Sequence, residues 1–161
     1  YAEHRYSARI AREIVNARRS KPLETTTELV EIIKKALPSK ELRKKGHPAK
    51  TIFQALRIEV NNELGVLEEV LRRAPYFLNE GGRLAVISFH SLEDRLVKNT
   101  FKKLSTLSET GMHPYALPVK GKEAPFSLVN RKVIVATAHE IENNPRASSA
   151  KLRIIERRRT K

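Results

Sequence analysis

Cysteine and tryptophan are absent from this chain of 161 residues, glycine occurs six times, and aromatic residues make up 6%. Without cysteine there is no disulfide scaffold and no thiolate metal site, in keeping with a reducing compartment. No apolar run approaches the ~20 residues of a membrane-spanning helix and no signal-peptide core is visible, so a cytoplasmic location is expected. The histidines His4, His47, His90, His113 and His139 are scattered, with no i, i+4 pair and no carboxylate at ligand spacing, so no metal site is expected. No Gly-x-Gly occurs anywhere, which removes the tight turn that lets a backbone approach a nucleotide-like cofactor. Acidic residues are also few, 18 against 32 basic, leaving a net charge of +14 and a pI near 10.3. That balance points to an acidic partner, nucleic acid ahead of an anionic membrane surface. The excess is spread evenly, +7 up to Val60 and +7 after it, so it belongs to no detachable tail.

What the chain does have is helical periodicity from its first residues. Tyr6, Ile10 and Ile14, with Ala11 and Val15 beside them, predict a helix broken at Lys21-Pro22. Thr25-Thr-Thr-Glu28 reads as a capping box opening a second helix, with Leu29, Ile32, Ile33 and Leu37 inward and Pro38 ending it. Five cations lie among the eleven residues from Lys40 to Lys50, with Gly46 and Pro48 marking a loop. Such a run is either a solvated loop or a phosphate contact through Lys44, Lys45 and Lys50. Beyond it Ile52, Phe53, Leu56, Val60, Leu64, Leu67 and Leu71 predict one long helix, mildly interrupted at Gly65 and broken near Ala74 by Pro75. A boundary between a helical part and an α/β part is expected near Asn61-Asn62.

The chain is organised around Gly81-Gly-Arg-Leu-Ala-Val-Ile-Ser-Phe-His-Ser-Leu-Glu-Asp-Arg95, a turn, a strand, a polar corner and a helix start. The unbroken apolar run from Leu84 to Ile87 predicts a strand buried on both faces of a largely parallel sheet. Ser91-Leu-Glu-Asp94 predicts a helix start with Ser91 as cap, followed by a stripe of Leu92, Leu96, Val97, Thr100, Phe101 and Leu104. Ser88, Phe89, His90 and Ser91 then lie at the carboxyl end of a strand, where ligands bind in open α/β sheets. After Ser105 a long connection to Ser127 rich in proline and glycine is expected, then strands over Arg131 to Thr137 and Ala150 to Glu156, with turn chemistry at Glu142-Asn-Asn-Pro-Arg146.

Ser88, His90 and Asp94 together are no hydrolase triad: they crowd one short segment, and no Gly-x-Ser-x-Gly elbow accompanies them. By position alone His90 is either a hydrogen-bonded structural residue or a ligand contact. Phe89 is expected to pack.

Phe53-Gln-Ala-Leu-Arg-Ile58, Asn62-Glu-Leu64, the stretch from Gly81 to Arg95, Asn144-Pro-Arg146 and Ser149-Ala-Lys-Leu-Arg153 resemble the RsmH (MraW) family. That family comprises S-adenosylmethionine-dependent methyltransferases that modify the exocyclic amine of a cytidine in small-subunit ribosomal RNA. The resemblance runs in register from about Tyr1 to the end and covers only the second half or so of a family member. It departs from the family at Ser148, where relatives commonly carry arginine. It implies an α/β fold, with a helical insertion over residues 1–61 for substrate recognition. Residues 62–161 would then be the carboxy-terminal half of a class I (Rossmann-like) methyltransferase domain, holding the last three strands of its sheet. Ser88, His90 and Ser91 become substrate-pocket candidates. Arg146, Lys151 and Arg153 join Lys44, Lys45 and Lys50 as candidates for contact with ribosomal RNA. The S-adenosylmethionine site itself is expected mainly upstream of Tyr1, so the chain alone is expected neither to bind the cofactor tightly nor to methylate RNA. A reading from another class is a non-catalytic basic RNA-binding module.

Overall fold

The computed structural model describes residues 5–106 and 124–159. The chain forms two compact units, Tyr1–Glu63 and Leu64–Lys161. The expected long connection after Ser105 lies for the most part outside the described residues.

The first unit is helical. Helix α1 (Ser7–Ser20) packs on α2 (Thr26–Ala36), α3 (Ser39–Leu42) is a single turn, and α4 is Lys50–Val60. The stripes read from the sequence meet here: Ile10, Ile33, Ala36, Leu37, Ala49 and Ile52 are buried together, with Tyr6, Ile14, Leu29, Val30 and Phe53 around them. The expected capping box is present. Thr25 Oγ1 accepts from Glu28 N at 3.2 Å, and the Glu28 carboxylate accepts from Thr25 N at 3.2 Å and Glu24 N at 3.0 Å. With Lys21 also donating to it, the Glu28 carboxyl is held down at about 2. Three backbone amides at the helix start, Glu24, Thr25 and Glu28, which no helical carbonyl can reach, are thus satisfied.

The predicted single helix from Ile52 to Leu71 is in fact two. Helix α4 stops at Val60, Asn62 takes φ 49°, and α5 runs Glu63–Arg73. Asparagine is one of the few residues with a side chain that visits the left-handed region readily, so the Asn61-Asn62 pair ends the helix where the apolar stripe alone would continue it. Gly65 sits inside α5 and interrupts nothing. At Pro75 the helix ends as expected, passing into a 3-10 turn over Ala74–Phe77.

The second unit carries a four-stranded sheet of β1 (Arg83–Ser88), β2 (Phe126–Leu128), β3 (Ile134–Val135) and β4 (Lys151–Arg157). Strand β4 is central and antiparallel to each of the other three; β1 and β2 flank it, and β3 pairs with its first residues. No pairing among the described residues is parallel, which corrects the expectation for Leu84 to Ile87. Nor is β1 buried on both faces. Its side chains alternate, Leu84 and Val86 half-buried against Arg83, Ala85 and Ile87 outward, and Ile87 is 59% exposed. One face of the sheet is covered by α6 (Ser91–Leu104) and α5, through Leu71, Val97, Phe101, Phe126 and Ile155. On the other face the register sets Ala85 beside Ile154, and Ile87 and Ile134 each beside Leu152.

The strand predicted over Arg131 to Thr137 shrinks to Ile134–Val135, and β2 falls in a stretch read as connection. Helix α7 (Ala138–Asn143), capped by Thr137 Oγ1 accepting from Glu140 N, and a 3-10 turn over Pro145–Ser149 replace the simple turn expected there. At the other end of β1, Gly81 at φ 76° donates its N–H to Arg157 O at 2.7 Å, and Arg157 N donates to Gly82 O at 2.9 Å. The Arg157 guanidinium reaches on to the carbonyls of Tyr76 and Leu78 and ties that turn to β4. No helix among the described residues is long and apolar enough to cross a membrane.

Candidate functional site at the end of the first strand

Strand β1 delivers Ser88, Phe89, His90 and Ser91 to the start of α6. Ser88 is buried, and its hydroxyl donates to Lys151 O across the sheet at 3.4 Å. The helix cap is one residue earlier than the sequence indicates. His90, not Ser91, is the N-cap: its Nδ1 accepts from Glu93 N at 3.3 Å, while the Glu93 carboxylate accepts from Phe89 N at 2.9 Å and His90 N at 3.2 Å. The box is therefore His90-x-x-Glu93, and the imidazole takes the place usually held by a hydroxyl or carboxylate. An Nδ1 that accepts leaves the ring proton on Nε2. That Nε2 is buried without a hydrogen-bond partner, Glu93 Oε1 lying 3.4 Å away. Ser91 is exposed at the first position of α6. Phe89, expected to pack, is instead 56% exposed.

Asp94, freed from capping by this shift in register, reaches β4. Its carboxylate takes two hydrogen bonds from Arg153, at 2.8 and 3.2 Å, with Lys151 Nζ 3.6 Å away. The pair is sheltered, with side-chain exposure of 15% for Arg153 and 13% for Asp94. The Arg153 hydrogen bonds, outweighing burial, hold the Asp94 carboxyl below the usual carboxylate range. Ser88, His90 and Asp94 thus each bond elsewhere and not to one another, which is the geometry of a braced corner rather than a triad. Glu93 is a site residue that the sequence reading does not single out, and Asp94, expected as part of a helix start, has a partner that reading does not indicate. The spacing of His90 and Glu93 was a usable signal for the first; Asp94 and Arg153 are 59 residues apart, and nothing local announces their pairing.

The corner gathers Ser88, His90, Ser91, Lys151 and Arg153. Arg146 is exposed in the 3-10 turn that leads into β4. Lys44, Lys45 and Lys50 belong to the other unit; Lys45 and Lys50 are exposed, and Lys44 pairs with Glu41 at 2.7 Å.

The sequence that builds the helical unit and this polar corner matches a methyltransferase family. The profile of the MraW methylase family covers residues 1–158, and the chain belongs to that family. It is 55% identical over 159 residues to the ribosomal RNA small subunit methyltransferase H of Streptococcus mutans serotype c (strain ATCC 700610 / UA159), a match spanning 98% of this chain. The chain covers 49% of that relative's length.

Proposed function

We propose that a family-length protein carrying this segment transfers a methyl group from S-adenosylmethionine to the exocyclic N4 amine of a cytidine in small-subunit ribosomal RNA, in the cytoplasm. The observation that carries this reading is the identity of 55% over nearly the whole chain to a relative whose name states small-subunit ribosomal RNA methylation.

The use made of the described glycines supports placing the cofactor elsewhere. Gly81 and Gly82 are used in a turn, where an added Cβ would meet the Arg159 side chain and the Asn79 backbone respectively, and Gly46 faces open space. We therefore assign this segment the substrate side. An amine conjugated with the cytosine ring is a weak nucleophile, so the base must be held with its N4 in line with the donor and about 3 to 3.5 Å from it. His90 Nε2–H is buried 3.4 Å from Glu93 Oε1 and would meet an acceptor on the ring only if the corner opens, whereas Ser91 offers an exposed hydroxyl beside it. Exposed Phe89 presents a flat apolar face on which a base can stack. Lys151 and Arg153 serve this site by holding Asp94, and so the start of α6, more directly than by touching RNA. Lys45, Lys50 and Arg146 remain open to phosphate.

The test is methyl transfer to small-subunit ribosomal RNA, with cofactor titrated by calorimetry, for the family-length protein and for this chain alone. Transfer and cofactor binding are expected only in the longer form. Micromolar cofactor binding by the chain alone would move the cofactor site into it; a long form that binds RNA but transfers nothing would favour the non-catalytic module.

A further inference from the structure

A second basic feature adjoins the His90 corner through Arg153 and extends between the carboxy-terminal half of α6 and the segment leaving β2. It is a cleft of about 220 Å³ lined by Lys98, Phe101, Lys102, Leu128, Asn130, Arg131, Arg153 and Ile154. No acidic residue lines it. Arg153 is already matched by Asp94, but the Lys98, Lys102 and Arg131 side chains are exposed and pair with no acid among the described residues.

The walls are built to stay in place. Val97 and Phe101 anchor α6 in the core, which fixes Lys98 and Lys102 one turn apart on its flank. Opposite them, Asn130 Oδ1 accepts from Ile154 N at 3.0 Å and its Nδ2 donates to Lys132 O at 2.7 Å, while Val129 N donates to Ile154 O at 3.1 Å. Those bonds secure the backbone on both sides of Arg131. Low-dielectric walls lined by charge of one sign focus the field outward, and the apolar parts of Phe101, Leu128 and Ile154 supply such walls. Four residues along a helix separate Lys98 and Lys102 by about 6 Å, far enough apart for each to meet its own phosphate.

We propose that this cleft binds the sugar–phosphate backbone of the RNA substrate, with Lys98, Lys102 and Arg131 neutralising successive phosphates. The proposal rests on the reading of the protein as a ribosomal RNA methyltransferase and adds a docking site that positions RNA without touching the modified base.

Neutralising three phosphate contacts on single-stranded RNA contributes about 2 to the slope of log affinity against log salt. In the family-length protein, the combined Lys98→Gln, Lys102→Gln and Arg131→Gln variant should therefore bind a small-subunit ribosomal RNA fragment with a slope shallower by about 2. The charge-keeping variant Lys98→Arg, Lys102→Arg and Arg131→Lys should restore it. Melting curves check the fold; should the triple variant melt early, Lys98→Gln and Lys102→Gln are read singly, at about 0.7 each. An unchanged slope overturns the cleft while leaving the methyltransferase reading intact. Failure of the wild-type protein to bind ribosomal RNA at all overturns both. Weakened binding to the whole small subunit with unchanged binding to naked RNA would assign the cleft to a ribosomal protein and overturn the proposal.

Discussion

A histidine that caps a helix through Nδ1 has its other nitrogen left for a second partner, so a change at position 90 acts on two quantities at once. His90→Ala removes both, and loss of an N-cap costs about 0.5 to 2 kcal/mol. His90→Asn keeps a side-chain acceptor well suited to the cap position but removes the Nε2–H. In the family-length protein we expect His90→Asn to melt close to wild type and to turn over more slowly, and Ser91→Ala to alter stability by less than about 0.5 kcal/mol. Melting temperatures beside methyl-transfer rates check this; full turnover in His90→Asn would leave the imidazole with capping alone. Asp94 makes a different prediction. Its folded pKa is lowered by the Arg153 hydrogen bonds from the ordinary 3.8, so the stability it contributes is complete above that value and is lost as pH falls through the folded one. Acid melts below about pH 4 should therefore be less steep in Asp94→Asn than in wild type. At neutral pH Arg153→Ala should cost about 1.5 to 3 kcal/mol, the worth of hydrogen bonds to a charged group, because it leaves the sheltered carboxylate with Lys151 alone. Identical acid limbs in Asp94→Asn and wild type would show that the pairing does not distinguish folded from unfolded chains.

Among the elements, the joint between α4 and α5 depends on a single backbone angle, φ 49° at Asn62. Asn62→Gly should leave stability close to wild type, whereas Asn62→Val forces a β-branched residue into the left-handed region at about 1 to 2 kcal/mol. Urea denaturation separates the two, and equal midpoints would mean that the joint relaxes. This joint also marks how far the sequence can be read. Helices α1, α2 and α6 were legible because each buries a stripe at helical spacing, and for α2 because Thr25 and Glu28 form a standard box. The α4–α5 break was visible as a boundary and not as a helix end, since Leu64, Leu67 and Leu71 carry the stripe on past it. Strands of three and two residues, as in β2 and β3, are too short to alternate. The Leu84 to Ile87 run suggested burial on both faces, yet in this structure Ile87 projects from the less covered one. The polar corner after β1 is legible in the sequence, but the Ser91-x-x-Asp94 pattern points to Ser91 as the cap where His90 serves, and the brace from Arg153 is hidden by distance along the chain.

For the molecule as a whole, the charges fall into two populations that respond differently to their medium. Most of the 32 basic residues are spread over both units, and the open ones among them feel a partner only within the Debye length, about 10 Å at 0.1 M salt and about 3 Å at 1 M. The Arg153–Asp94 pair is closed off and in direct contact, where screening is far weaker. Concentrated salt should therefore strip polyanions from the surface while the braced start of α6 stays as it is. A strong-salt wash thus becomes a practical route to protein free of carried-over nucleic acid with its candidate site undisturbed, and dilution alone returns it to a binding state.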